Sequence, residues 1–123
     1  MMEVTARSVD AWNSWRRNSR ESIRTMQADL DAACHASGRD PGTLERTAAV
    51  MVDLPGAAET IAPWVAGLRT RLEPAVEGSP AELANFLRVL AADGIGHVQL
   101  WIEPNTVAGI EAFAPVLELL DRG

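Results

Sequence analysis

Five side chains in this sequence have the type and placement for binding chemistry: Trp12 and Asn13 in "DAWNSW", and Gln99, Trp101 and Glu103 in "GHVQLWIEPNT". An indole offers a broad apolar face to a flat ligand, and an asparagine amide beside it both donates and accepts hydrogen bonds. Trp12 is also suited to packing between a sheet and its helices, and that role outweighs the binding one. Gln99 can orient a ligand or satisfy a neighbouring strand, and these two roles weigh the same. Glu103 lies at a strand end, the better place for a binding carboxylate. His97 sits early on the same strand, away from the loops, so a hydrogen-bonded structural role outweighs a catalytic one.

Other chemistry finds no pattern. The sequence has no GxGxxG, phosphate loop or GxSxG elbow, and no Cys or His cluster at metal-ligand spacing. No nucleophile, general base or metal ligand is assigned. Arg16, Arg17, Arg20 and Arg24 form the one basic cluster, either a solvated helix start or a site for a phosphate or carboxylate. His35 reads as a solvated residue near a helix end. Cys34 falls on an apolar helical stripe and is expected as a small buried hydrophobe.

The elements that would position these residues follow from hydrophobic period and punctuation. Residues 3–10 read as the end of a helix, and 11–15 as a short strand. After "RRNS", Ile23, Met26, Leu30, Ala33 and Cys34 recur at helical spacing until Gly38. A turn at "RDPGT" leads to a strand near 46–53. Ile61, Trp64, Val65 and Leu68 suit a helical face with Pro63 in its first turns. Ser79, Pro80 and Glu82 predict a capping box opening a helix whose buried stripe is Leu83, Phe86, Leu87 and Leu90. Gly94 ends that helix, and "IGHVQLWI" follows as a strand. Alternation places Val98, Leu100 and Ile102 under helices and His97, Gln99 and Trp101 on the opposite face. Thr106 caps a last helix with stripe Ile110, Phe113, Leu117 and Leu120, and Pro115 predicts a bend or restart within it. Strands alternating with helices predict a parallel sheet, doubly wound or part of a barrel.

The totals bound the reading. A chain of 123 residues, 47% hydrophobic and 23% charged, is expected to form one globular domain, residues 1–123. Net charge is −6, which argues against nucleic acid and anionic membrane as partners. No apolar run is long enough to span a bilayer, and residues 1–15 lack the pattern of a secretory signal. A single cysteine suits a reducing compartment, so a cytoplasmic location is expected. Every basic residue is Arg, a usage that carries no binding function.

Taken together, the segments resemble the luciferase-like flavin-dependent monooxygenases. "TARSVDAWNSW" resembles a helix end and short strand late in that family's barrel. "LDAACHASGRDPGTLERTAAVMV" resembles its next helix, Gly-Arg-Asp-Pro turn and strand. "GSPAELANFLRVLAADGIGHVQLWIEPNTVAGIEAFAPVLELL" resembles its C-terminal signature. Ser8-Val9 departs from the aromatic-Ala pair usual there. The resemblance implies an α/β fold that is the C-terminal part of a (β/α)8 TIM barrel, with about three parallel strands covered by helices. About the first five βα units, including the Gly-Gly phosphate-binding turn, are then expected to lie outside the match. It implies an oxidoreductase or monooxygenase acting on a small-molecule substrate with FMN or an 8-hydroxy-5-deazaflavin coenzyme. Trp12 and Asn13 would face the cofactor cavity, and Gln99, Trp101 and Glu103 the barrel mouth. The isolated chain is expected to be incomplete and inactive alone, with a homo-oligomer or a complementary N-terminal chain as its partner. The alternative is a non-catalytic α/β remnant or association module that needs a partner chain.

Overall fold

Alternating strands and helices, each too short to bury a face alone, meet around one central strand. The computed structural model describes residues 2–123. Strand β2 (Glu45–Asp53) runs parallel to β1 (Ala11–Ser14) on one side and to β3 (His97–Glu103) on the other, giving the order β1-β2-β3. Helices α1 (Met2–Ser8), α2 (Arg20–Ala36), α3 (Ala57–Thr60), α4 (Pro63–Arg69), α5 (Pro80–Ala92) and α6 (Val107–Asp121) supply the connections and covering layer. The fold class is therefore α/β, a three-stranded parallel sheet flanked by helices.

Register decides which side chains share a face. Ala48 pairs with Val98, Val50 with Leu100 and Val52 with Ile102. These positions pack against Ile23 of α2, Leu83, Ala84 and Leu90 of α5, and Phe113 and Val116 of α6. The aliphatic face of β3 thus lies under helices, as alternation predicts. A second cluster joins Ala6, Leu30, Cys34 and Leu44, with Val9 and Trp12 packed against it. Cys34 is fully buried there.

Local signals explain the element ends. The Ser19 hydroxyl accepts from Ser22 N–H to start α2, and Gly38 follows its end at φ 73°, a conformation that costs a side-chain-bearing residue more. Arg39 then donates to the carbonyls of Ala6 (3.1 Å) and Val9 (2.6 Å), fastening the end of α1 beside the turn. The predicted capping box opens α5: Ser79 N–H donates to Glu82 Oε2 at 2.7 Å, and Glu82 N–H to Ser79 Oγ at 3.3 Å. Hydrogen bonding to the carboxyl from Ser79, first from its backbone N–H and then from its side chain, holds Glu82 below its ordinary value.

Two expectations are corrected and a third is narrowed. Helix α6 buries Gly109, Phe113 and Val116, while Ile110 and Leu117 are 61% and 52% exposed. Gly109 sets this rotation, because a Cβ there would stand 1.9 Å from the Pro104 carbonyl oxygen. Pro115 does not restart the helix, which runs unbroken through it. The proline is on the exposed side, where water can satisfy the carbonyl left without its N–H. Trp64 is 70% exposed rather than part of an apolar face. The segment forms two short helices, α3 and α4, of which α4 buries only Val65.

The rotation of α6 is testable. Phe113→Ala should lower unfolding free energy by about 3–5 kcal/mol, and Leu117→Ala by no more than about 0.5, in urea titrations. Equal losses would return Leu117 to the core.

Candidate functional site

The face of the sheet away from the helices is built in layers. Asn13, Thr47 and His97 share the first, Ala49 and Gln99 the second, Met51 and Trp101 the third, Asp53 and Glu103 the last. This face ends at the carboxyl ends of the strands, where ligands bind in open and closed parallel βα sheets. His97 and Gln99 are exposed, Trp101 half-buried, and Glu103 only 5% exposed.

Gln99, Trp101 and Glu103 therefore share one face, and two of them are joined. Trp101 Nε1–H donates to Glu103 Oε1 at 2.8 Å, while Asn105 N–H donates to Glu103 Oε2 at 3.2 Å. Glu103 is thus a lock at the strand end that orients the indole, and its peptide bond to Pro104 is cis. Asn13 lies on the same face but in the first layer, three layers from Glu103, its Oδ1 accepting from Thr47 Oγ1–H at 2.8 Å. The orientation expected of Trp12 is corrected: it packs against the buried cluster of Ala6, Leu30, Cys34 and Leu44. Adjacent residues on a strand point to opposite faces, so Trp12 and Asn13 cannot both face one cavity.

Two hollows open on this face. The first, about 160 Å³, is lined by Trp15, Arg16, Asn18, Met51, Gln99 and Trp101 among others. Arg16 holds a positive φ of 69° and places its guanidinium 4.5 Å from the Trp15 ring centroid, a cation–π contact. The second, about 410 Å³, lies beyond the strand ends between Asp53, Gly56, Ile61, Arg69 and Glu77. There Arg69 Nη1–H donates to Asp53 Oδ2 at 2.8 Å and Nη2–H to Oδ1 at 2.5 Å. The hydrogen bonds to Asp53 raise the Arg69 pKa above its ordinary value; burial opposes them, and the charges of Asp53, Glu103 and Glu77 reinforce them.

The wall of the first hollow depends on a node absent from the sequence reading. Asn18 is 5% exposed; its Oδ1 accepts from Met51 N–H at 2.9 Å, its Nδ2–H donates to the Glu73 carbonyl at 2.9 Å, and its N–H donates to Glu73 Oε2 at 2.7 Å. Ser22 Oγ–H adds 2.9 Å to the same carboxylate, and Arg17 pairs with Oε1 at 3.4 Å. Burial alone would raise the Glu73 pKa, but the bonds from Asn18, Ser22 and Arg17 together hold it below its ordinary value. Val76 completes the edge of β2 through Asp53 N–H to Val76 O (2.9 Å) and Val76 N–H to Met51 O (2.8 Å). No short-range pattern announces contacts across 55 residues of sequence.

The arginine cluster disperses. Arg17 serves Glu73, and Arg20 grips Asp93 through two bonds of 2.7 and 2.9 Å. That fork, chiefly its hydrogen bonds, raises the Arg20 pKa and lowers that of Asp93. His35 is exposed in the last turn of α2, as expected. Among the described residues no helix is long and apolar enough to cross a membrane, and no three His, Cys, Asp or Glu side chains converge as metal ligands.

The fold and this face define an α/β protein with a polar, aromatic-bearing sheet surface at its strand ends. The sequence matches no protein-family model, and no curated protein matches it.

Glu73 gives a pH prediction. Its folded pKa lies below the ordinary 4.5, so its stabilisation is complete above that pH and is lost as pH falls through the folded value. Glu73→Gln should therefore flatten the acid limb of a plot of urea midpoint against pH. Superimposable limbs for the two proteins would remove Glu73 from this role.

Proposed function

We propose that this chain is the C-terminal part of a luciferase-like flavin- or deazaflavin-dependent oxidoreductase barrel, and that its sheet face receives one flank of the coenzyme ring. The observation that carries the reading is the layer of Met51 and Trp101 above Ala49 and Gln99, with Trp15 and Arg16 beside it. An indole held by Glu103 gives a flat apolar contact, and the Gln99 amide can meet the polar edge of a ring.

The fit extends to part of the coenzyme. A hollow of about 160 Å³ is smaller than the roughly 300–1,000 Å³ of pockets that enclose a whole ligand. Arg17, Arg20 and Arg69 are engaged with Glu73, Asp93 and Asp53, leaving Arg16 as the cation lining the hollow. The residues present thus suit a ring flank and not a complete ring with its phosphate tail, and no hydride-transfer step is derived from them. In a closed barrel the remaining contacts would come from strands beyond this sheet. The coenzyme would supply the redox chemistry, and this chain would orient the ring and exclude water from one side. The substrate is a small organic molecule on this reading.

A non-catalytic association module is the second reading. It is favoured by the outer edge of β3, a seven-residue strand with no neighbour on that side among the described residues.

Titrating FMN and an 8-hydroxy-5-deazaflavin into the protein and following coenzyme fluorescence tests the first reading. Saturable quenching is expected, weakened about tenfold by Trp101→Leu, which removes roughly 1.4 kcal/mol of contact, and unchanged by Trp64→Leu. Absence of quenching up to about 1 mM of either coenzyme would overturn it.

A further inference from the structure

We propose that two copies of this chain associate through their β3 edges, paired antiparallel about a two-fold axis at Leu100. The proposal deepens the association reading by naming its partner, and it is independent of ring binding. Edge strands in soluble proteins are usually short, or carry Lys, Pro or a bulge that discourages pairing. Strand β1 is short, at four residues. Strand β3 has seven residues, no Pro, and an unbroken register with β2 from His97 to Glu103. Among the described residues nothing pairs with its outer row of backbone donors and acceptors, which is open for pairing.

The sequence H-V-Q-L-W-I-E of β3 is self-complementary when reversed on itself. A centre lying between two residues would set the aliphatic face of one copy against the polar face of the other, so the axis must pass through a residue. Centred on Leu100, all seven residues pair. His97 then stands opposite the partner's Glu103, Val98 opposite the partner's Ile102, Gln99 opposite the partner's Trp101, and Leu100 opposite the partner's Leu100. The polar faces coincide, with each His97 at the register position of the partner's Glu103.

A second surface, continuous with the edge, points to the same occupant. On α6, Val107, Ile110 and Leu117 are 73%, 61% and 52% exposed, and their spacing puts them on one helical stripe. Leu117 also lines a groove of about 350 Å³ with Leu87, Val98, Leu100 and Leu120 at the β3 edge. An occupant must bring a strand to the edge and an apolar helix stripe to the groove in one rigid body. The β3–α6 unit of a second copy has both.

Sedimentation velocity over a concentration series tests this. A species of twice the 13.2 kDa chain mass is expected. The double variant His97→Glu/Leu117→Glu changes two exposed side chains and should raise the dimer dissociation constant at least about tenfold, with the far-ultraviolet circular dichroism of the parent. Leu117→Glu alone gives a smaller loss and covers the case in which the double variant misfolds. A single 13.2 kDa species at about 100 μM, a dimer indifferent to these substitutions, or assembly only with a different chain would overturn the proposal. Loss of the dimer leaves coenzyme quenching readable on the monomer, so the two readings fail separately.

Discussion

The parallel ladder between β2 and β3 is the constraint from which the rest of the molecule follows. Seven consecutive pairs, Thr47–His97 to Asp53–Glu103, lock the two strands in phase, and a slip of one residue would exchange every side chain between faces. With the phase set, Val50 and Leu100 are committed to the helices, and Met51 and Trp101 to the open side. The other edge of β2 is served in turn by β1, the Asn18 side chain and Val76. A central strand cannot leave buried donors unpaired, so these three segments are drawn together by the same requirement.

That patchwork edge links stability to the candidate site. Asn18 and Glu73 hold the loops after β1 and before α5 against Met51, and those loops bring Trp15, Arg16 and Leu72 over the sheet. The hollow is thus made by a buried polar node rather than by a close-packed apolar core. Such a node specifies one arrangement while all its members are satisfied, and losing one leaves the others costly. At the strand ends the Asp53–Arg69 fork and the Trp101–Glu103 bond play a similar part, fixing charged and aromatic side chains where a ligand would meet them.

What the sequence made legible was local. Ser79, Pro80 and Glu82 announce a helix start because the capping box spans only four residues, and alternation along "HVQLWIE" separates the two faces of β3 without reference to anything else. The parallel sheet follows from element order alone. What stayed hidden was non-local. Helix α6 is apolar on more than one side, so its periodicity admits two faces, and the close approach of Gly109 to Pro104 selects between them. The opposite orientations of Trp12 and Asn13 follow from the pleat, yet which of them faces the helices needs the pairing of Asn13 with Thr47. Asn18, Glu73 and Arg69 carry no motif, and their roles exist only once distant segments meet.

The central claim is that successive side chains of β2 and β3 point alternately to the helix-covered face and to the opposite face of the sheet. Single cysteines placed at Ala48, Val50, His97 and Gln99 in a Cys34→Ala background, and timed with a thiol reagent, test it most directly. The account predicts rapid labelling at positions 97 and 99 and strong protection at positions 48 and 50. Equal rates at all four, or protection at 97 and 99 with fast labelling at 48 and 50, would contradict it.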